Sequence, residues 1–445
     1  MKKNSGLSAI YFLLSLGWLF SCLLSSSLWA EEADQEPDPP PSREIRPGYY
    51  LGVGSCSNGF CHGAAVPMDT TAVLQNEYPT WMGGPHRGAY RVLRNTLSQE
   101  IAAALDPGGK PAHEMPECLA CHALTAPAGK SENIFPDDGI SCESCHGPSG
   151  GWKDTHFEVD WTYQKSLNAG MIDLRDAENR AKVCLQCHLG DENRKVDHRL
   201  IAAGHPRLYF ELDNYNGKMP RHWKVGRSHS MTGVRAWATG QVTAFRASLE
   251  NLQGYAESGA WPEFSEYNCQ SCHHSLADNA WRKQAGYRFQ GGLPPYAKRY
   301  AVVRQLVAEF ADGELENFDK AVEELGKTIA TLRQDGLVER AEAVIQVLDG
   351  VESKIRGSKW KGDQVQRMMR RIAKERETFL SDLTSAEQAA FALQSLVSRW
   401  AQLDRKVVNS DLKKTIDEVF ISLDDPDAYD RGRLEGLLAR LEEQL

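Results

Sequence analysis

The apolar positions of this chain change their rhythm three times. From about Ala9 to Leu24 they run together behind a positive start at Lys2 and Lys3. That layout predicts a secretory leader over residues 1–30, cleaved after Ala30. Leu28 is larger than the residue usually preferred there, so two other outcomes stay open. Leu19-Phe20-Ser21-Cys22 reads as a lipoprotein box with Cys22 acylated, and an uncleaved leader would act as a single membrane anchor. Residues 31–47, with Glu36-Pro37-Asp38-Pro39-Pro40-Pro41-Ser42, hold almost nothing to bury and predict a disordered acidic spacer.

The middle of the chain, 48–293, has no sustained period. It is rich in Gly, Pro, His and Trp, and it predicts short helices with longer ones at 235–256 and near 174–188, without a strand ladder. Gly291-Gly292-Leu293-Pro294-Pro295 then marks a boundary. Beyond it the apolar residues become periodic. Phe318, Val322, Leu325, Ile329 and Leu332 alternate by four and three, as do Val344, Leu348, Val351 and Ile355, each set making one stripe on a helix. Thr384 and Glu387 have the spacing of a capping box ahead of Phe391, Leu393, Val397 and Trp400. Five to seven helices are expected over 296–445, packed as an up-and-down bundle on the middle region. The basic run Arg367, Arg370, Arg371, Lys374 and Arg376 is either a solvated helix face or a docking site for an acidic partner. The predicted fold class is mainly α: a loop-rich domain at 48–293 followed by a C-terminal helical bundle.

A formal net charge of -9 argues against nucleic acid or an anionic membrane surface as the main partner. Phosphate loop, nucleotide fingerprint and nucleophile elbow are all missing from the sequence.

The cysteines change the picture most. Cys118-Leu119-Ala120-Cys121-His122, Cys142-Glu143-Ser144-Cys145-His146, Cys184-Leu185-Gln186-Cys187-His188 and Cys269-Gln270-Ser271-Cys272-His273 are four copies of C-x-x-C-H. This is the c-type haem attachment pattern, in which two thiols form thioethers and the adjacent imidazole takes an axial position on iron. With this composition, chance would supply on the order of a hundredth of one match, so the four are not accidental. Cys56-Ser57-Asn58-Gly59-Phe60-Cys61-His62 is two residues longer between its thiols. Alone it would read as a disulfide hairpin; beside four siblings it reads as a fifth site. The five motifs use every cysteine except Cys22. A zinc reading would not explain a histidine directly after each second cysteine.

Five covalent haems, and five irons, are therefore expected, with His62, His122, His146, His188 and His273 as attachment-side ligands. Eight histidines remain, and all lie before the Gly291 boundary: His86, His113, His156, His198, His205, His222, His229 and His274. Histidines serving only packing or solvation have no reason to segregate so. Mostly bis-histidine haems of low potential follow, since a methionine ligand would raise the potential. Met68, Met82, Met115, Met219 and Met231 are the methionine candidates, with Met115 too close to Cys118 to serve its own haem.

Pro85-His86-Arg87-Gly88-Ala89-Tyr90, Cys142 to Pro148 with His156 following, and Ala203-Gly204-His205-Pro206-Arg207-Leu208-Tyr209-Phe210-Glu211 resemble multihaem cytochromes c of the hydroxylamine oxidoreductase superfamily. They look most like the tetrahaem electron carrier of ammonia oxidisers and planctomycete-type relatives, with Gly240-Gln241 and Cys272-His273-His274-Ser275-Leu276 similar to the latter. The resemblance covers roughly 48–293 and implies His86, His156 and His205 as distal ligands. His198 and His222 are the next choices from their places beside the Gly-His-Pro segment and in Met219-Pro220-Arg221-His222-Trp223. The chain has no C-x-x-C-K, the motif of the catalytic haem in related nitrite reductases, and fewer haem motifs than the eight haems of the oxidoreductase itself. The expanded first motif resembles those of tetrahaem cytochromes from sulfate reducers.

The expected function is electron transfer, in a periplasm or other exported compartment, between a donor and an acceptor redox protein, with a membrane-associated complex among the possible settings. The alternative is an oxidoreductase acting on hydroxylamine, nitrite or a sulfur oxyanion at one five-coordinate haem, with Arg221, His222, Arg227 and His229 nearby. A third reading makes the bundle a recruiting surface and the haems an internal relay. Oligomeric state is not legible.

Overall fold

In the computed structural model the described residues are 45–68, 70, 73–224, 229–269, 272–273, 300–403, 410–425 and 429–445. The leader, most of the spacer, the Gly291 boundary, Arg227 and His274 lie outside them. The fold is mainly α. Among the described residues strand pairing is limited to two isolated bridges, Tyr50 with Ser131 and Asp191 with Arg194.

Up to residue 224 the helices are short: α1 (Glu77–Met82), α2 (Ala89–Val92), α3 (Thr96–Leu105), α4 (Pro116–His122), α5 (Cys142–His146), α6 (Tyr163–Asn168), α7 (Ala177–His188), α8 (His198–Ala202) and α9 (Leu212–Lys218). Their starts are encoded locally. Pro116 opens α4, Ser141 and Ser144 cap α5 reciprocally, and the Asp176 carboxylate accepts from the Asn179 N–H at the head of α7. Small buried clusters such as Tyr90, Leu93, Ala102 and Met115 hold them together, so Met115 is packing.

The longest helix, α10 (His229–Glu257), forms a wall between two layers. Trp237, Phe245, Leu249 and Leu252 point into the large core made with the C-terminal helices, and each is fully buried. Ala236 and Ala244 face the other way, against Ala181 and Leu185 of α7 and Phe210 and Leu212 of the α9 segment. Small residues are needed there because α9 comes close. A Cβ on Gly240 would stand 2.7 Å from that of Leu212.

Eight helices follow among the described residues: α11 (Tyr300–Phe310), α12 (Leu315–Ala330), α13 (Leu337–Gly357), α14 (Gly362–Lys374), α15 (Arg376–Phe379), α16 (Leu383–Leu403), α17 (Ser410–Ile421) and α18 (Arg431–Gln444). The surplus over the expected five to seven includes α15, a single turn too short to show a period. The predicted stripes are buried at Phe318, Leu325, Ile329, Val344, Leu348, Val351 and Ile355. Val322 is only partly buried, and Leu332 lies past the end of α12 at φ 60° and is exposed.

Two local expectations need correction. The α16 N-terminus is capped by Asp382, whose Oδ1 accepts from the Ser385 N–H at 2.9 Å. Thr384 and Glu387 therefore sit inside the helix, and Glu387 pairs with Arg207 instead. The basic run is largely occupied within the molecule. Arg367 meets Asp363, Arg371 meets Glu309, Arg376 meets Glu442, and Arg370 donates to the Leu445 carbonyl. The pairs of Arg371 and Arg376 and the bond from Arg370 tie α14 and α15 to α11 and α18.

The bundle also grips the middle region directly. Arg399 of α16 forms a two-pronged pair with Asp213 of α9 at 2.6 and 2.9 Å. Ser395 donates to buried Glu211 at 2.9 Å, and Tyr209 stacks on Phe391.

Candidate functional site

Three of the five motifs end a helix on their histidine, at His122, His146 and His188. The spacing explains this: two residues between the cysteines make about one helical turn, with the imidazole on the next position. At the fifth motif the His273 N–H bonds to the Cys269 carbonyl at 2.8 Å. The expanded first motif closes differently. The N–H groups of Cys61, His62 and Gly63 all converge on the Asn58 carbonyl, at 2.9, 3.1 and 2.8 Å. This knot absorbs the extra residues and leaves His62 near Cys56. Gly63 is required there, since a Cβ would fall 2.0 Å from the Ser57 carbonyl oxygen.

The motifs lie against one another. Cys56 lies beside Cys142, and Cys121 beside Cys187, each pair close enough for its sulfurs to interact. The first motif is thereby set beside the third, and the second beside the fourth. Glu143, inside the third motif, reinforces the first contact. Its buried carboxylate accepts from Leu51 N at 3.0 Å, Gly52 N at 2.9 Å, and the N–H and hydroxyl of Ser149 at 2.8 and 2.6 Å. Arg194, just past the fourth motif, donates to the Ala120 carbonyl of the second at 3.1 Å. Burial pushes Cys145 up to about 11 and Cys184 up to about 12.

The histidines come together across long stretches of sequence. His62 faces His156 with ring centroids 6.0 Å apart and planes within 10° of parallel. His86 faces His188 at 6.3 Å and 69°, His122 faces His205 at 6.5 Å and 84°, and His198 faces His273 at 6.3 Å and 33°. Each pair joins one attachment histidine to one of the five others expected as ligands. Among the described residues no second imidazole faces His146 in this way. His222 is nevertheless near enough to help hold its pKa down, after burial, at about 4.

These distances can be tested against a metal between the rings. With imidazole nitrogens about 2 Å from a metal on either side, centroids stand roughly 6 Å apart, so the four pairs fit. The outer nitrogens are held as metal-ligating imidazoles require. His122 Nδ1 lies 2.8 Å from the Ala89 carbonyl, His156 Nδ1 2.6 Å from that of Lys153, His205 Nδ1 2.8 Å from that of Pro206, and His222 Nδ1 3.0 Å from that of Pro220. A carbonyl only accepts, so Nδ1 carries the hydrogen and Nε2 is left as the donor to a metal. Burial disfavours the charged form of four of the paired rings: it lowers His86, His122 and His156, and takes His188 to about 4. Arg87 Nε, Trp152 Nε1 and Arg180 Nε are buried donors in this region without an acceptor among the described residues. They suit the carboxylates of haem propionates. Arg87 follows His86, Trp152 packs edge-on against His156 at 5.6 Å, and Arg180 lies one turn before Cys184.

Sequence reasoning did not reach Glu77, Glu143 or Asn58. Glu77 Oε2 lies 3.0 Å from His62 Nδ1. Only Gly63 directly after the first motif hints at the Asn58 knot. His113 packs on Tyr90 at 6.4 Å and is in none of the four facing pairs, and His229 opens α10. Met68 and Met82 are exposed.

Residues 56–147 match the family model described as cytochrome c554 and c-prime, a stretch that holds the first three motifs. The match supports a c-type cytochrome with covalently bound haem c and iron. No curated protein and no solved structure matches the chain.

Proposed function

We propose that this chain is an exported carrier that passes electrons between redox partners through five covalently bound haems, each held by two histidines. The observation that supports it most is the facing of His62 with His156, His86 with His188, His122 with His205, and His198 with His273, all at 6.0–6.5 Å. His146 and His222 make up the fifth pair in this reading. Bound haem supplies a one-electron couple at its iron. The chain supplies the rest. Cys56 with Cys61, Cys118 with Cys121, Cys142 with Cys145, Cys184 with Cys187 and Cys269 with Cys272 hold the cofactors. Carbonyl partners orient the distal rings of His156, His205 and His222, and two-histidine ligation favours low potentials. The contacts of Cys56 with Cys142 and Cys121 with Cys187 support short steps from site to site. The setting, by resemblance, is that of carriers in the hydroxylamine oxidoreductase superfamily. Anaerobic redox titration of the holoprotein tests this: the reading requires five one-electron steps at low potential, and fewer steps or a high-potential step would count against it.

One observation favours a second reading. His146 lacks a facing imidazole among the described residues, so the third site is where a small nitrogen or sulfur compound would bind if the protein were an oxidoreductase. Cyanide binding at that site, lost when His146 is replaced, would favour this reading over the carrier.

A further inference from the structure

We infer that Glu77 makes the first attachment site the most reducing of the facing pairs, giving the chain a direction for electron flow. The inference rests on the functional reading above. His62 Nδ1 stands 3.0 Å from Glu77 Oε2, and an ionised carboxylate can only accept, so the ring donates Nδ1–H and keeps Nε2 for iron. Among the described residues, His62 is the one proposed ligand whose ring nitrogen meets a carboxylate. His122, His156, His205 and His222 all meet backbone carbonyls.

The difference is one of charge. A hydrogen bond to a carboxylate is roughly twice as strong as one to a neutral acceptor. It draws the ring hydrogen further from Nδ1, leaves more electron density on Nε2, and strengthens the imidazole as a donor to the more positive ferric ion. Glu77 is held for this task. Its other oxygen accepts from the N–H groups of Leu74 and Gln75 at 2.9 and 3.1 Å. The side chains of Glu77 and His62 are 18% and 28% exposed, enough shelter for the charge to act on the ring. Because the first motif abuts the third through Cys56 and Cys142, a low potential at the first site sends electrons inward. Glu77 is thus a positioning residue that tunes a potential.

The test is a redox titration of full-length holoprotein followed by electron paramagnetic resonance, in the unmodified chain, Glu77→Gln and Glu77→Asp. Near-parallel imidazole planes give a rhombic low-spin signal, whereas nearly perpendicular ones give strongly axial signals. The 10° pair is therefore separable from those at 69° and 84°. Its signal is assigned by its change in a His156→Met chain. Glu77→Gln is expected to raise the midpoint of that signal by about 59 mV, a tenfold shift in a one-electron equilibrium, with the others unmoved. Glu77→Asp, which keeps the charge, should give a smaller rise. An unmoved midpoint in Glu77→Gln, or an equal or larger shift in Glu77→Asp, overturns the inference while the functional reading stands. An unmodified chain without haem on Cys56 and Cys61 overturns both.

Discussion

The rings of His122 and His205 stand 6.5 Å apart with their planes crossing at 84°, each fixed on its outer nitrogen by a backbone carbonyl. The second motif supplies one ring and the Gly-His-Pro segment the other, and the C-terminal bundle holds that segment through Arg207 and Glu387. Ligation of one iron by both rings has a direct consequence. His205→Met should leave haem content unchanged and raise a single reduction potential, since thioether ligation favours ferrous iron. Potentiometry beside a haem assay checks this, and a full set of unmoved potentials would remove His205 as a ligand.

The grip of the bundle on α9 is expected to be energetically large. Asp213 is buried, with only 6% of its side chain exposed, and both oxygens meet Arg399. Arg399→Ala would strand that carboxylate, a loss of about 3 kcal/mol in urea unfolding. Combining it with Asp213→Asn should recover part of the loss.

Glu211 sets a pH dependence. Burial, with help from Asp213, pushes its carboxyl up to about 7, against about 4.3 in an unfolded chain. The folded state then binds more protons than the unfolded state between these values, so stability falls as pH rises from about 4.3 to about 7 and is flat above. The total is about 4 kcal/mol. Glu211→Gln should remove this part of the slope in unfolding midpoints measured from pH 4 to 8.

Phe245 is fully buried on α10 and meets Phe318 edge-on at 6.3 Å. Phe245→Ala should cost about 3–5 kcal/mol in unfolding experiments. A loss under 1 kcal/mol would mean that α10 is not the wall between the two layers.

The parts legible in the sequence are those written in local spacing. C-x-x-C-H is short because two thioethers and one axial ligand must reach a single haem, so the motifs are readable from residues 56 to 273. The stripes of α12 and α13 are readable because one face repeats with the helical turn. The pairing of His62 with His156, or His86 with His188, is set by tertiary folding and leaves no local trace; segregation of the histidines identified candidates without matching them. Glu77 carries no sequence signal at all, being one carboxylate fifteen positions from His62. The Thr384 capping box failed because Asp382, two residues earlier, offers the same hydrogen bond in better register. The role of α10 was hidden because its small face and its large apolar face serve different layers.

The most direct test of the account is the spin state of every haem in the ferric holoprotein, measured by electron paramagnetic resonance with a parallel optical titration by cyanide. The account predicts five low-spin centres, two of them strongly axial from the His86–His188 and His122–His205 pairs, and no rapid cyanide binding. A high-spin centre amounting to about one haem in five, converted by cyanide, would contradict it and identify an open iron where a carrier needs none.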